Sequence, residues 1–243
     1  MLALTAMQVR GYTENHGRIC EPQQLDAWLL STVVPQAERE IYEDVLSATE
    51  RQVAARFHFD ADRERSIVAR GGLRRILSAY CGVSPQALTF RTDTYGKPSL
   101  SGIPSAPQFN VSHSGDCVLI GVSLVPCGVD VERSHARLSE HSIAERFFCP
   151  REVKWLRRNQ NGFLRLWTMK ESVIKAVGRG LSIPLSDVDV TDIAEGNAST
   201  ITLETPGLEK QTLWLKELNL SKDYAAAVSM VGSEGAVNLC PFP

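Results

Sequence analysis

Two acidic residues in the second half of the chain have the type and spacing of a metal site. Asp130 and Glu132 alternate along residues 128–132, so in a strand both side chains lie on one face of the sheet. Carboxylates about 4–5 Å apart repel each other by about 1 kcal/mol in water and by more when partly buried. A hard cation relieves this repulsion, and these ligands favour Mg²⁺, with Mn²⁺ as the alternative. Taken alone, the pair fits a solvated strand edge better than a metal site.

A second group of chemically active side chains has helical spacing. Glu171 and Lys175 are four residues apart, so they share one side of a helix predicted over 163–176 and ended by Gly178. A surface ion pair worth about 0.3–0.5 kcal/mol is the structural alternative. We interpret Trp167, four residues before Glu171, as the side chain that packs this helix on the core.

His113 lies between Ser112 and Ser114, just before a buried strand predicted over 117–124. A Ser-His-Asp hydrolase is one interpretation of this segment. The G-x-S-x-G sequence that presents a nucleophilic serine in such enzymes is missing around both serines. A structural histidine is the simpler reading of the residue by itself.

The elements that must position these residues mix helices and strands without a regular alternation. Ser47 and Glu50 have the spacing of a capping box, and Asp60 or Asp62 is predicted to cap the longest helix, which continues to about Tyr80. Another helix is predicted over 150–158 because Pro150 suits a first turn. Apolar or alternating runs predict strands or buried segments at 25–34, 117–124, 128–132, 186–191, 200–204, 211–218 and 224–231.

The pattern predicts an α+β chain divided at Pro126. We expect an N-terminal extension over 1–24, a first half over 25–125 and a second half over 126–243 that carries the acidic residues. With 243 residues, both halves have enough length for a core.

Composition narrows the classes of function. The chain has 28 acidic and 26 basic residues, so its net charge of −2 gives no support for nucleic-acid binding. No apolar run approaches the length of a membrane span, and the start lacks a signal-peptide pattern. The six cysteines form no C-x-x-C pair, which favours free thiols in a reducing cytoplasm. No catalytic role is assigned to any of them.

Three segments in a fixed order resemble the Sfp-type phosphopantetheinyl transferases. That family shows N-[IV]-S-H-S, then G-[IV]-D-[IV]-E, then W-[ST]-x-K-E-[SA]-x-x-K, which match Asn110–Ser114, Gly128–Glu132 and Trp167–Lys175. Asp130 precedes Glu171 by 41 residues, as in the family. The likeness extends over about residues 50–231 and includes further matches: Tyr95–Pro98, Arg146–Phe148 with Glu152, and Gly178–Ser182 with Pro184 and Leu185.

The resemblance implies a fold and an activity. The fold is a monomer of two similar α+β halves related by a pseudo-twofold axis, with coenzyme A in the cleft between them. The activity is the Mg²⁺-dependent transfer of 4′-phosphopantetheine from coenzyme A to a serine of an apo acyl or peptidyl carrier protein, with release of 3′,5′-ADP.

The resemblance also implies roles for individual residues. Asp130, Glu132 and Glu171 match the metal ligands, and Glu171 also matches the residue linked to deprotonation of the carrier serine. Lys175 matches a lysine beside the phosphate. Three residues match positions that contact the nucleotide part of coenzyme A: Lys97, Ser112 and His113.

The first half departs from the family at one coenzyme A position. Val53 stands where some members have a basic residue facing the phosphates. Other arginines can compensate: Arg51, Arg56, Arg70 and Arg74. Arg70 and Arg74 are four apart on one predicted helix, so we expect both to face coenzyme A.

Two other functions remain open from the sequence. One is a coenzyme A-binding protein without transfer activity, against which the intact acids and Lys175 argue. The other is a metal phosphohydrolase, which also clusters acidic residues.

Overall fold

The computed structural model describes Arg18, residues 20–134 and residues 140–240. Most of the predicted N-terminal extension 1–24 therefore lies outside the described residues. The described chain forms two four-stranded sheets and a separate hairpin, together with seven α-helices.

The strands follow the predicted positions closely in the middle of the chain. The first sheet contains β1 (Gln24–Ser31), β4 (Gln108–Ser114), β5 (Cys117–Ser123) and β10 (Ala236–Cys240). The second contains β6 (Cys127–Arg133), β7 (Thr200–Leu203), β8 (Gln211–Glu217) and β9 (Tyr224–Val231). The hairpin consists of β2 (Thr89–Thr92) and β3 (Pro98–Ser101).

The helices connect and cover these sheets. They are α1 (Gln36–Asp44), α2 (Ala48–Ala55), α3 (Asp60–Cys81), α4 (Glu140–Phe147), α5 (Pro150–Arg158), α6 (Phe163–Val177) and α7 (Thr191–Ala194). No helix among the described residues is both long enough and apolar enough to cross a membrane.

The two sheets share a pattern, which confirms the prediction of two α+β halves. Their strand orders are β10-β1-β5-β4 and β6-β9-β8-β7. The triples β1-β5-β4 and β6-β9-β8 are both antiparallel. Helix α3 packs on the first triple and α6 on the second. The halves therefore repeat one arrangement of a long helix on three antiparallel strands.

The C-terminal strand does not follow the predicted division at Pro126. β10 lies in the second half by sequence, yet it pairs in parallel with β1 of the first sheet. Asp26 is buried on β1, and its Oδ1 accepts a hydrogen bond of 2.9 Å from Asn238 Nδ2. A buried carboxylate needs such donors, and this hydrogen bond adds to the backbone pairing that holds the C-terminal strand in the first sheet.

Hydrophobic packing forms one core in each half and a third between the sheets. The third core joins residues of both halves, including Leu25 and Leu119 from the first and Val129, Val228 and Met230 from the second. Buried apolar side chains from both sheets thus hold the two halves together.

The predicted bounds of α5 and α6 agree with the structure to within one residue, no helix was predicted at α4 or α7, and the predicted cap of α3 is wrong. The predicted capping box is present, because Ser47 Oγ accepts from Glu50 N at 3.2 Å. Asp60 and Asp62 do not cap α3; its N-cap is Phe59, and no side chain caps it. Asp62 instead pairs with Arg65 on the next turn, at 2.8 Å.

The predicted strand over 186–191 is wrong. The segment forms a short 3₁₀ turn at Leu185–Asp187 and then leads into α7. The carbonyl oxygens of Leu185 and Val188 both accept hydrogen bonds from Lys170 Nζ. The backbone wraps around a buried ammonium group and so does not pair with a strand.

Candidate active site

The two sheets meet where their edge strands β4 and β6 run side by side. Along this seam, side-chain oxygens of β4 accept the hydrogen bonds that backbone carbonyls of a neighbouring strand accept within a sheet. Alternate residues of β4 accept hydrogen bonds from backbone N–H groups of β6: Asn110 from Val129 (2.9 Å), Ser112 from Val131 (3.3 Å) and Ser114 from Arg133 (3.1 Å). The N-V-S-H-S segment therefore fixes the register between the halves.

The same two serines orient the acidic pair of β6. Ser112 Oγ donates to Asp130 Oδ1 at 2.8 Å, and Ser114 Oγ donates to Glu132 Oε2 at 2.8 Å. Asp130 is 2% exposed, and its Oδ2 atom has no hydrogen-bond partner among the described residues. A buried carboxylate oxygen without a donor is costly unless something binds it. Asp130 thus has a coordination position that the protein itself leaves unfilled.

Helix α6 brings the other two predicted residues to this place because it packs unusually close to β6. A Cβ atom on Gly128 would lie 1.9 Å from the carbonyl oxygen of Ser172, so only glycine permits the approach. Lys175 Nζ then reaches Asp130 Oδ1 at 2.6 Å and Ser112 Oγ at 3.1 Å. The glycine ahead of the acidic pair is explained by this contact.

Glu171 faces the acidic pair from one turn earlier on α6. Its carboxylate makes no hydrogen bond to any other described residue. Burial raises the pKa of the Glu171 carboxyl, and the Asp130 carboxylate raises it further, while Lys175 lowers it and Glu132 adds a smaller increase. A half-buried carboxylate with a raised pKa is suited to accept a proton.

These residues line an open cleft of about 310 Å³. Its walls are formed by both halves: Val111, Ser112 and His113 from β4, Asp130 and Glu132 from β6, and Trp167, Glu171 and Lys175 from α6. Trp167 also packs against the core of the second half and stacks on Phe148, with ring centroids 6.5 Å apart. It therefore packs the helix as predicted and faces the cleft as well.

A second pocket of about 370 Å³ adjoins the first and shares Val111 and His113 with it. Arg65 and Arg70 of α3 line this pocket, and the small Ser66 and Ala69 lie beside them. Partial burial lowers the pKa of His113, and the charges of Arg65, Lys175 and Arg70 lower it further. Asp62 also lines the pocket and pairs with Arg65 at 2.8 Å, whereas no carboxylate in the described part of the chain is bonded to Arg70.

Sequence reasoning found Arg70 but missed Arg65. The two are five positions apart, which is 140° around a helix, so spacing alone does not place them together. The signal that could have found Arg65 is the pair of small residues between them, which lets both side chains reach one pocket. Val53 lines the same pocket, at the position where some members of the family that the sequence resembles have a basic residue.

Three predicted nucleotide contacts are placed differently by the structure. Arg74 is buried, pairs with Glu50 at 2.7 Å and donates to the carbonyl oxygens of Pro85 and Leu88, so it turns away from the pocket. The hydroxyl of Ser112 is used on Asp130. The ammonium of Lys97 lies at the end of α6, where it donates to backbone carbonyls.

Another group of possible metal ligands among the described residues consists of Cys149, Glu152 and Asp189. Both Glu152 oxygens are already bonded: Oε2 to Lys170 Nζ at 2.6 Å and to Cys149 N at 3.0 Å, Oε1 to Val190 N at 3.1 Å. These bonds, one of them to the Lys170 ammonium, leave neither Glu152 oxygen without a partner, so the group offers a cation no unsatisfied oxygen at Glu152. It is a structural cluster.

Comparison with known proteins gives matches over most of the chain. A family model described as 4′-phosphopantetheinyl transferase superfamily matches residues 126–229, and one described as 4′-phosphopantetheinyl transferase, N-terminal, matches residues 35–124. The chain is 33% identical over 218 residues to the 4′-phosphopantetheinyl transferase HetI of Nostoc sp., which covers 86% of this chain and 88% of the relative.

A second relative gives the same result. The chain is 31% identical over 198 residues to the 4′-phosphopantetheinyl transferase Sfp of Bacillus subtilis, which covers 79% of this chain and 85% of the relative. Together the two family models cover both strands of the seam, β4 in the N-terminal match and β6 in the other. This chain belongs to the 4′-phosphopantetheinyl transferase superfamily and is an enzyme of the Sfp type.

Proposed function

We propose that the chain transfers 4′-phosphopantetheine from coenzyme A to a serine of an apo acyl or peptidyl carrier protein, with 3′,5′-ADP as the second product. The observation that supports this most is the junction of the two pockets. One is lined by three carboxylates and Lys175. The other is lined by Arg65, Arg70 and the Asp62 carboxylate that pairs with Arg65, and His113 lies between the two pockets. Coenzyme A carries a pyrophosphate and, on its ribose, a separate phosphate, and this charge distribution complements the two pockets.

The acidic cleft fits a divalent cation. Asp130, Glu132 and Glu171 would hold it, and the unpartnered Oδ2 of Asp130 is the atom that most needs one. When bound, Mg²⁺ or Mn²⁺ neutralises part of the charge of the pyrophosphate. Ser112 and Ser114 keep the two β6 carboxylates in place for this purpose.

In the proposed reaction the serine oxygen of the carrier forms a bond to the phosphorus that bears the pantetheine group. The bond from that phosphorus to the oxygen bridging the two phosphates breaks, and 3′,5′-ADP leaves with that oxygen. Glu171 accepts the serine proton, directly or through one water molecule. Lys175 stabilises the negative charge of the transferring group.

Three basic residues are proposed to bind the nucleotide phosphate: Arg65, Arg70 and His113. Arg74 is left out because its guanidinium is buried on Glu50 and two carbonyls and does not line the pocket, whereas Arg65, although paired with Asp62, does. Both walls of the cleft come from one chain, so we also propose that a monomer is active, which sedimentation of the active protein tests directly. The expected cytoplasmic location stays a prediction.

The transfer is tested by incubating the protein with coenzyme A, Mg²⁺ and several apo carriers, and then measuring the mass of each carrier. We expect a gain of one phosphopantetheine group on at least one carrier and none on the same carrier with its serine changed to alanine. Chelation should abolish the gain, and Mg²⁺ or Mn²⁺ should restore it, with Ca²⁺ poorer because it prefers looser coordination.

The same experiment separates the two rival functions. A coenzyme A-binding protein would retain coenzyme A and leave every carrier unchanged. A metal phosphohydrolase would release phosphate from coenzyme A when no carrier is present. Either result, with a carrier that a known transferase modifies under the same conditions, contradicts the proposal.

A further inference from the structure

Lys97 belongs to the first half, yet its ammonium group lies against the catalytic helix of the second. Nζ donates to the carbonyl oxygens of Lys175 at 2.7 Å, Ala176 at 2.8 Å and Cys127 at 3.2 Å. An ammonium group has three hydrogens, so these three acceptors use its full capacity. The side chain therefore has no donor left for a nucleotide.

The end of α6 has carbonyl groups that need such a donor. The helix ends at Val177, and Gly178 caps it in the left-handed conformation, with its N–H bonded to the Ile174 carbonyl at 2.9 Å. The last carbonyls of a helix have no partner within the helix and carry the negative end of its dipole. Those of Lys175 and Ala176 are among them, and Lys97 supplies both the hydrogens and a positive charge.

The turn between β2 and β3 presents Lys97 in a fixed way. Asp93 Oδ1 accepts hydrogen bonds from the backbone N–H groups of Tyr95 at 2.8 Å and Lys97 at 2.9 Å. On the helix side, a Cβ atom on Gly178 would lie 2.8 Å from Lys97 Cδ. Glycine at this position thus leaves room for the lysine stem as well as permitting the positive φ of +79°.

The last turn of α6 also carries Lys175, whose Nζ lies 2.6 Å from Asp130 Oδ1. We infer that Lys97 is a positioning residue: it caps α6 from the opposite half and so holds Lys175 against the acidic cleft. Pro98, the next residue, lines the second pocket, the one that contains Arg65 and Arg70. The β2–β3 hairpin therefore contacts both the pocket lined by Arg65 and Arg70 in the first half and helix α6 in the second half.

The test replaces Lys97 by methionine, which keeps most of the stem and removes the donors and the charge. Hydrogen exchange of the amides of residues 174–178 should become at least about tenfold faster, while exchange over 164–168 stays unchanged. If the chain has its proposed function, kcat should fall about tenfold and the KM for coenzyme A should change less than about twofold.

His113→Ala is the matched control, because it should raise the KM for coenzyme A and leave exchange at 174–178 unchanged. Lys97→Gln retains two N–H donors and should show a smaller effect on both measurements; it decides the question if the methionine variant does not fold. If hydrogen exchange at 174–178 is unchanged in Lys97→Met, Lys97 does not cap α6. If exchange is faster but kcat is unchanged, or if only the KM for coenzyme A rises, Lys97 does not position Lys175. A wild-type protein without transfer activity contradicts only the proposed function, since the exchange result stands apart from it.

Discussion

Two lysine–carboxylate pairs lie on different sides of α6 and differ in how much of their bonding capacity is used. Lys170 and Glu152 are both fully buried, and backbone groups and the partner satisfy every Lys170 hydrogen and both Glu152 oxygens. Lys175 and Asp130 lie at the cleft, and Asp130 Oδ2 has no partner among the described residues. A saturated charge cluster stabilises a fold, whereas an unsaturated one is available for a ligand.

The cysteine-containing group around Glu152 shows why this distinction matters. Its three side chains are close enough to ligate a metal, and proximity alone would favour it over the cleft. The deciding fact is that both Glu152 oxygens have hydrogen-bond donors, whereas Asp130 Oδ2 has none among the described residues. Accounting for hydrogen bonds therefore separates a structural cluster from a functional one where residue type does not.

The largest expected effect is on stability at the saturated pair. Glu152→Gln leaves Lys170 buried without its counter-charge, which should lower the free energy of unfolding by about 3–5 kcal/mol. Denaturant unfolding measures it. The double variant Glu152→Gln with Lys170→Met should recover part of the loss, because no charge is then left buried. A single variant as stable as the wild type contradicts the structural role.

At the Lys175–Asp130 pair, a substitution should lower the rate of transfer more than it lowers the stability of the fold. Asp130→Asn removes a metal ligand and should slow transfer at least about 10²-fold, or about 2.7 kcal/mol of barrier. Its unfolding free energy should change much less than that of Glu152→Gln. Glu132→Gln should cost less rate than Asp130→Asn, because Glu132 is more exposed and water can replace it. Equal transfer rates for Asp130→Asn and the wild type, measured by carrier mass, would contradict the role of Asp130 as a metal ligand.

The sequence predicts contacts between residues that are close together in the chain better than contacts between residues that are far apart. Alternation along β6 and helical spacing on α6 are local properties, so the sequence alone suffices to group Asp130 with Glu132 and Glu171 with Lys175. The family resemblance supplied the order of the segments and joined the two groups. No local pattern indicates that Lys170, next to Glu171, is bonded to Glu152 18 residues away in sequence.

Three of the failures have the same physical origin. Arg74 has the spacing to join Arg70, yet Glu50 and two loop carbonyls draw it into the core. Lys97 resembles a nucleotide contact, yet it caps a helix of the other half. The pairing of β10 with β1 depends on partners more than 200 residues apart in the chain. Each of these three errors concerns a contact whose partner is remote in sequence, whereas the wrong cap of α3 is a local error, because Asp62 pairs with Arg65 three residues away.

A smaller effect is expected for His113, which lies between the two pockets. Burial and three nearby cations disfavour the imidazolium, so its pKa should lie below the ordinary value of 6.5 and the ring should be neutral at pH 7. A bound phosphate favours the imidazolium, so coenzyme A should raise this pKa in an NMR titration. His113→Ala should raise the KM for coenzyme A by about three- to tenfold, more than it lowers kcat. A pKa insensitive to coenzyme A places the phosphate elsewhere.

The smallest effect is expected at Cys149, beside the saturated pair. Burial raises the pKa of its thiol to about 11, so almost no thiolate is present at neutral pH. Cys149→Ser should lower kcat by less than about tenfold, which corresponds to about 1.4 kcal/mol. A larger loss in a folded variant would show that the cysteine takes part in the reaction.

The most direct test of the central claim is the transfer rate of Glu171→Gln with Mg²⁺ present. The change keeps the shape of the side chain and removes the base, so transfer should slow at least about 10²-fold while the unfolding free energy stays near that of the wild type. Glu204→Gln, at an exposed carboxylate paired with Lys210, is the matched control and should keep the wild-type rate. Full activity of Glu171→Gln, measured as phosphopantetheine mass on the carrier, would contradict the account.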